Sequence, residues 1–142
     1  MSLPERSLLY VSHKTIDPGA EEVIQDIVSA ASVKNAALGV TGALVATRAH
    51  FAQILEGPAD AVHDLMDSIC RDARHTNVIV LREWAIIGRS FADFSLAYSG
   101  PSSYVAKHVV GVSHAVGDDL TIKVDRVIAL IAGLAVPADV DA

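Results

Sequence analysis

The segment His50–Gly57, HFAQILEG, decides the fold because it reads as a core strand with one polar residue among its apolar ones. Side chains alternate across a strand, so Gln53 shares a face with Phe51 and Leu55. A buried amide without a hydrogen-bond partner costs about 1 to 3 kcal/mol. Gln53 therefore needs a partner, which is solvent if the strand lies at a sheet edge and otherwise a group of the fold or a bound molecule.

The elements before this strand follow from local sequence patterns. Residues Ser7–Ser12, SLLYVS, are apolar and rich in strand formers, and they predict the first strand. Asp17 precedes a proline and is typical of a helix start, and apolar residues at helical spacing predict a helix that ends near Asn35. The β-branched segment 39–47, GVTGALVAT, predicts a second strand that forms a hairpin with HFAQILEG.

The elements after this strand are a helix and two more strands. A second helix starts at Pro58 and ends around the turn 71–75, RDARH. Cys70 lies on the apolar stripe of this helix and is expected to be a small core residue. The segments Asn77–Ile87 and Phe94–Ser99 predict the fourth and fifth strands.

The order βαββαββ predicts an α+β fold, a ferredoxin-like sheet with both helices on one face. Two further helices are predicted, one over Ser103–His114 and one that starts near Asp118 and continues until Pro137. We expect them to cover the other face of the sheet. Residues 1–100 then form the domain, and residues 101–142 form a helical extension packed on the sheet.

The composition is that of a single globular domain. Of the 142 residues, 51% are hydrophobic and 20% are charged, and no apolar run approaches the roughly 18 residues that cross a bilayer. One cysteine and an amino terminus without a signal-peptide pattern predict a cytoplasmic protein. A net charge of -6 without a basic cluster argues against direct binding of nucleic acid.

Familiar catalytic motifs are absent from the sequence. The six histidines form no HExxH or Cys/His pattern, so no metal site is predicted. There is no Walker loop, GxGxxG or GxSxG motif either. The sequence therefore does not predict an enzyme.

Three polar residues lie where apolar ones are expected, namely Tyr10 in the first strand, Asn35 near the end of the first helix and Gln53 in the third strand. Each has an ordinary explanation: a half-buried ring with a solvated hydroxyl, a helix terminus, and an amide at an edge. In the predicted sheet, however, the first and third strands are central neighbours. Tyr10 and Gln53 then project from adjacent positions beneath the groove between the two helices.

From about Leu8 to Tyr98 the chain resembles the BLUF domain family of flavin-binding blue-light sensors. The resemblance is carried by LLYVS, KNAALGVTGAL, HFAQILEGPADAV, RDARHTNV and RSFADFSLAY, in the order and near the spacing of the family. The ferredoxin-like fold of that family agrees with the predicted element order. The resemblance implies FAD, or another flavin such as FMN or riboflavin, bound between the two helices with its redox-active edge facing the sheet.

The resemblance also implies roles for individual residues. Tyr10 is the electron and proton donor to the excited flavin, and Gln53 lies between the Tyr10 hydroxyl and the flavin N5/O4 edge. Asn35 holds the carbonyl edge of the ring. The other residues implied to bind the flavin are Lys34 and Ile27 on the first helix, and Ile69, Asp72, Arg74 and His75 around the end of the second.

The implied signal is a light-driven exchange of hydrogen bonds. Transfer from Tyr10, rearrangement at Gln53 and recombination leave the flavin unchanged except for a new hydrogen bond, seen as a small red shift in absorption. A side-chain amide suits this exchange because it both donates and accepts. Phe94 and Leu96 stand where the family often has Trp and Met, positions implied to relay the signal to the sheet, so these changes affect output more than flavin binding.

The sequence is interpreted as a stand-alone photoreceptor without enzymatic output, which signals through a homodimer or higher homo-oligomer or through a separate, unidentified protein. One alternative is a degenerate family member without useful photoactivity, favoured by the two fifth-strand changes and opposed by the retention of Tyr10, Gln53 and Asn35. The second is a small enzyme of the acylphosphatase type. It would need an arginine and an asparagine around an anion-binding loop, and Arg48 and Asn77 offer no such loop.

Overall fold

The chain forms a five-stranded sheet and three helices in a computed structural model that describes residues 4–15, 21–47, 49–92, 97–99 and 117–134. The elements in chain order are β1 (Glu5–Lys14), α1 (Glu21–Leu38), β2 (Thr41–Ala46), β3 (His50–Pro58), α2 (Ala59–Cys70), β4 (His75–Ile86), β5 (Ala97–Ser99) and α3 (Gly117–Leu134). The predicted βαββαββ order and α+β class are confirmed.

The sheet has the order β4-β1-β3-β2-β5. Neighbouring strands run antiparallel except β2 and β5, which run parallel. The predicted pairing of the first and third strands is confirmed, and its register places Tyr10 directly opposite Gln53. Residues Ser7–Ser12 are buried throughout, because both faces of β1 are covered.

Helices α1 and α2 pack on one face of the sheet, here called the α1/α2 face. Ile24 on α1 packs against Leu44 and Phe51 of the sheet. On α2, the buried residues Val62, Leu65 and Met66 pack against Leu8, Tyr10 and Leu55. The predicted arrangement with both helices on one face is therefore confirmed.

Helix α3 covers the opposite face, here called the α3 face. Its buried residues Val124, Val127 and Ile131 pack against a wholly apolar layer of sheet residues, namely Leu9, Val11, Ala43, Val45, Ala52 and Ile54. A C-terminal helix was expected on this face, and residues 117–134 supply it. The helix predicted over Ser103–His114 and the domain boundary near residue 100 lie outside the described residues.

Several element boundaries and one burial prediction differ from the structure. Helix α1 continues past Asn35 to Leu38 and ends before Gly39, whose positive φ of 71° suits a residue without a Cβ. Strand β4 starts at His75, two residues earlier than predicted. Cys70 is exposed, so its assignment to the core was wrong. Met66 is the last buried residue of α2, Ile69 is only partly buried, and Cys70 is the last residue of the helix.

Strand β4 forms an irregular outer edge of the sheet. Its pairing with β1 shifts register between Leu9 and Tyr10 and again between Val11 and His13. Asn77, close to the second shift, has a positive φ of 52°. Such bulges increase the local twist of a strand and interrupt its ladder of hydrogen bonds.

Candidate functional site

A cavity of about 180 Å³ lies between α1 and α2 and is floored by the sheet. Its lining comes from three places: α1 supplies Ile27, Ala30, Ala31, Lys34 and Asn35, the sheet supplies Tyr10, Leu44, Phe51 and Gln53, and α2 with the turn after it supplies Leu65, Ser68, Ile69, Asp72, Arg74 and His75. All the residues predicted to bind the flavin or to react with it line this one cavity. The predicted relay residues, Phe94 and Leu96, lie outside the described residues.

Tyr10 and Gln53 form a buried hydrogen-bonded pair on the cavity floor. The Tyr10 hydroxyl donates to Gln53 Oε1 at 2.5 Å. Both side chains are almost fully buried, with 3% and 4% of their surface exposed. The fold therefore supplies one partner for the strand amide, and the same amide faces a cavity that has room for a second.

Burial changes the acid–base behaviour of Tyr10. It raises the pKa of the hydroxyl well above its ordinary value, and the nearby charge of Asp72 adds to the shift. A phenolate is costly in a site without water, so Tyr10 stays protonated through the physiological range. The group that faces Gln53 is thus a neutral hydroxyl.

His75 ties the turn after α2 to the sheet. Its Nε2 lies 2.7 Å from the backbone oxygen of Ile69, and its Nδ1 lies 2.8 Å from the Ser12 hydroxyl. A carbonyl oxygen only accepts, so Nε2 carries the proton, and the Ser12 hydroxyl donates to Nδ1 in the neutral tautomer. The ring also meets Tyr10 and Phe51 edge-on, at centroid distances of 6.2 and 5.9 Å.

Asp72 and Arg74 form a rigid charged pair at the cavity. Asp72 Oδ1 accepts from the backbone nitrogen and from Nε of Arg74, both at 2.9 Å, and Oδ2 accepts from a terminal nitrogen of the guanidinium at 2.6 Å. The hydrogen bonds from Arg74 lower the pKa of Asp72 to about 2. The carboxylate is therefore ionised at neutral pH, and both groups keep fixed positions.

Two residues near the end of α1 complete the polar part of the lining. Lys34 Nζ donates to the Ser68 hydroxyl of α2 at 2.5 Å, a contact that joins the two helices beside the cavity. Asn35 is 1% exposed although its residue type is polar. An amide buried at the cavity suits the binding of a polar ring edge.

Several lining residues were not among the predicted site residues. Ala30, Ala31, Leu44, Phe51 and Leu65 were not predicted because their types are ordinary for a core, and Ser68 stands where some members of the family have an arginine that contacts the flavin, a difference that was given little weight. The helical repeat contains a signal for two of them, since Ala30 and Ala31 are three and four residues after Ile27 and so share its side of α1. Phe51 shares the face of Gln53 by strand alternation. Leu44 and Leu65 are not distinguishable in sequence from other core leucines.

The family described as "BLUF: Sensors of blue-light using FAD" matches residues 6–97, a segment that contains Tyr10, Asn35 and Gln53. The chain belongs to the BLUF family. The resemblance drawn from the sequence is confirmed, and with it the cofactor class, because BLUF domains sense blue light with FAD.

Two BLUF relatives are much longer than the segment that they share with this chain. The blue light- and temperature-regulated antirepressor BluF of Escherichia coli (strain K12) is 39% identical over 75 residues, which are 53% of this chain and 18% of that protein. The photoactivated adenylate cyclase subunit beta of Euglena longa is 35% identical over 91 residues, 63% of this chain and 10% of that protein. The likeness concerns this segment and not the activities of the whole relatives.

Solved structures agree with the fold over almost the whole chain. BlrB, a BLUF protein in its dark state, is 26% identical with a TM-score of 0.71, covering 92% of this chain and 98% of its own. The photo-activated state of BlsA has a TM-score of 0.72 at 21% identity, covering 94% of this chain and 96% of its own. The BlsA comparison bears on the fold alone.

The residues around the cavity fit a flavin. A planar ring needs apolar walls, and Ile27, Leu44 and Ile69 provide them. Its polar edges need donors and acceptors, which the buried amides of Asn35 and Gln53 provide. In the part of the chain that the structure describes, no group of three or more His, Cys, Asp or Glu is placed to hold a metal ion, and no helix is long and apolar enough to cross a membrane.

Proposed function

We propose that this protein is a blue-light photoreceptor in which light changes the hydrogen bonds among Tyr10, Gln53 and a bound FAD. The observation that carries the proposal is the buried Tyr10–Gln53 hydrogen bond of 2.5 Å on the floor of the cavity. A redox-active side chain and an adaptable amide are thereby in contact where a flavin of this family would bind. FMN or riboflavin would use the same ring contacts.

When bound, the flavin supplies the ring that absorbs blue light and accepts an electron on excitation. Tyr10 is the donor, and its neutral hydroxyl loses a proton far more readily once an electron has left the ring. Gln53 Oε1 is the acceptor that already receives the hydrogen bond from this proton. Gln53 Oε1 would take up this proton while its amide nitrogen gives one up on the flavin side, so Tyr10 would be oxidised without a buried phenolate, and return of the electron and the proton would restore it.

Gln53 converts this transfer into a lasting change. Its amide carries an acceptor on one side and donors on the other. Rotation or a change of tautomer therefore exchanges the hydrogen-bond donor and acceptor that face Tyr10 and the flavin. The exchange breaks no hydrogen bond of the β3 ladder, so the strand keeps its pairing with β1 and β2 while it adjusts slightly to the new orientation of the amide. A new hydrogen bond at the flavin then lowers the energy of its absorption band.

The remaining lining residues position the cofactor. Asn35 is proposed to hold the carbonyl edge of the ring, and Ile27 and Ile69 to pack against its faces. Lys34 is the cation on α1 beside the cavity, where it bonds to Ser68. Asp72, Arg74 and His75 hold the turn after α2 in place, supported by the hydrogen bonds within that turn and from His75 to β1.

The output of the photoreceptor is proposed to be a change of protein contacts rather than a catalysed reaction. Phe94 and Leu96 are the proposed relay from the site towards the C-terminal region, and a homodimer, a higher homo-oligomer or a separate protein receives the signal. The composition, with one cysteine and a net charge of -6, supports a cytoplasmic location without direct binding of nucleic acid. Residues 1–100 are proposed as the flavin-binding domain and residues 101–142 as its helical extension.

The test is the visible spectrum of the purified protein in the dark and immediately after blue light. We expect a yellow protein whose flavin absorption shifts reversibly to the red. A protein that is colourless and takes up neither FAD, FMN nor riboflavin would refute the sensor function. A yellow protein without a reversible shift would favour the degenerate, non-photoactive member of the family.

A further inference from the structure

Glu56 is a buried carboxylate on the α3 face of the sheet, beside the apolar layer that α3 covers. It stands two residues after Ile54 on β3 and is only 2% exposed. A carboxylate in such a place must have strong hydrogen-bond partners, because an unpaired buried charge is very costly. The hydrogen-bond partners of Glu56 therefore indicate its role in the structure.

Those partners belong to the loop between β4 and β5. Glu56 Oε2 accepts from the backbone nitrogen of Ser90 at 2.8 Å, and Oε1 accepts from the backbone nitrogen of Phe91 at 2.8 Å. The Thr41 hydroxyl at the start of β2 adds a longer contact of 3.3 Å to Oε1. One side chain of β3 thus holds two consecutive amides of a loop that is more than 30 residues away in sequence.

A second contact fixes the same loop to the neighbouring strand β1. The guanidinium of Arg89 donates to the two carboxylate oxygens of Glu5 on β1, at 2.9 and 2.5 Å. It also reaches the Thr41 hydroxyl at 3.4 Å. Phe91, the next residue but one, is buried in the apolar layer beneath α3. The loop is therefore attached to β1, β2 and β3 at once.

We infer that Glu56 is a positioning residue which couples the switching glutamine to the fifth-strand segment, and this inference rests on the proposed function. Gln53 and Glu56 lie three residues apart on β3 and project from opposite faces of the sheet. A rearrangement at Gln53 shifts β3 slightly, and Glu56 carries that shift to the amides of Ser90 and Phe91. The loop that contains them leads directly into the segment with Phe94 and Leu96 and then into β5.

The route differs from one through side-chain contact at the flavin. The relay that the family resemblance implies for Phe94 and Leu96 is a route through side chains, whereas Glu56 acts on the backbone. β5 pairs with β2 in parallel, from Ala43 with Ala97 to Val45 with Ser99, and both β2 and the loop bond to the same Glu56 network. Movement of the carboxylate therefore reaches both ends of the proposed relay segment.

The first experiment measures amide hydrogen exchange in the unmodified, flavin-loaded protein, in the dark and under continuous blue light. We expect light to change the exchange of Ser90 and Phe91 and of the following residues up to Ser99. A normal red shift without any change at Ser90 and Phe91 would overturn the inference and leave the proposed function intact. If the red shift itself is missing, the proposed function fails and the coupling fails with it.

The second experiment uses Glu56→Gln, with Glu83→Gln as its matched control. The glutamine keeps the shape but turns one acceptor into a donor, so one of the two loop amides loses its partner and should exchange at least about fivefold faster in the dark. Glu83 bonds to Arg6 and His63 and to no loop amide of residues 90–91. The control therefore removes a carboxylate of the same sheet without touching the coupling.

We expect Glu56→Gln to keep its flavin and its red shift while the light-induced exchange difference over residues 90–99 falls at least about threefold. Glu83→Gln should keep the flavin, the red shift and the undiminished light-induced exchange difference over residues 90–99. An undiminished difference in Glu56→Gln would overturn the inference, and so would a lost red shift, since Glu56 would then act on the flavin site itself. If Glu56→Gln does not fold, the result with the unmodified protein decides the question.

Discussion

The two faces of the sheet are built by alternate residues of the same strands, yet they differ in kind. Along β3, Phe51, Gln53 and Leu55 face α1 and α2, while Ala52 and Ile54 face α3. The α1/α2 face encloses a cavity with buried polar groups, and the part of the α3 face that α3 covers is an apolar layer. Because alternate residues of a strand face opposite sides, one strand can contribute reactive side chains to one face of the sheet and apolar packing to the other.

This difference teaches that changes on the two faces should have separable effects. Substitutions of the polar residues that line the cavity on the α1/α2 face should alter the spectrum more than the free energy of unfolding. Substitutions on the α3 face should lower the free energy of unfolding and leave the spectrum alone. The substitutions below test that separation.

The largest expected effect is the complete loss of the red shift in Gln53→Leu and in Tyr10→Phe. Leucine has no donor or acceptor, and phenylalanine has neither the hydroxyl proton nor a readily oxidised ring, so neither variant can exchange the hydrogen bond. Both should still bind flavin, which is checked by absorption before and after blue light. A normal shift in either variant would refute the roles assigned to these residues.

The next effect is a loss of stability in Ile131→Ala on α3. Ile131 is fully buried against the apolar layer, and truncation of such a residue costs about 2 to 5 kcal/mol. The measurement is urea unfolding of the flavin-bound protein. Ile122→Ala is the matched control, because Ile122 is 53% exposed on the same helix and should cost less than about 1 kcal/mol. The separation of the faces fails if Ile131→Ala abolishes the red shift in folded protein.

A smaller, pH-dependent effect is expected from Asp72. Its folded pKa of about 2 lies below its ordinary value, so its contribution to stability is complete above about pH 4 and is lost as the pH falls towards 2. Partial exposure of the pair reduces that contribution to about 1 kcal/mol. Unfolding midpoints of the unmodified protein and of Asp72→Asn should therefore converge between pH 4 and pH 2. Curves that stay parallel over this range would contradict the assignment.

The smallest effect is expected for Arg82→Gln. Arg82 and Asp125 form an ion pair between β4 and α3, and the Asp125 side chain is 63% exposed. Exposed pairs contribute about 0 to 1 kcal/mol, so thermal unfolding should change little and the red shift should be unaffected. A loss comparable to that of Ile131→Ala would mean that charge, and not apolar packing, holds α3 to the sheet.

Most of the fold was predictable because strand and helix periods are explicit in the sequence. The alternation around Gln53 gave the correct face for each β3 residue, and helical spacing placed Ile24 and Leu65 inward. Local patterns were weaker at element ends. Helix α1 stops where Gly39 allows a positive φ, three residues beyond Asn35. No pattern around Cys70 revealed that burial along α2 decreases after Met66, so that Ile69 is partly buried and Cys70 is exposed.

The candidate site was predictable in its polar residues and not in its walls. Tyr10, Asn35 and Gln53 were conspicuous because polar groups in core elements need partners. Leu44 and Leu65 line the cavity without any such signal. The contacts of Glu56 were beyond prediction for a different reason. Its partners are the backbone amides of Ser90 and Phe91. The residue types at these two positions give no sign that their backbone amides bind a carboxylate.

The two bulges in β4 also bear on how the protein behaves at high concentration. A straight outer strand with exposed Ile79 and Val80 would be a template on which further chains could stack into an extended sheet. The register shifts, and the left-handed backbone conformation of Asn77, distort β4 so that it does not present a straight edge. Continuous stacking of further chains onto this edge by strand pairing is therefore disfavoured.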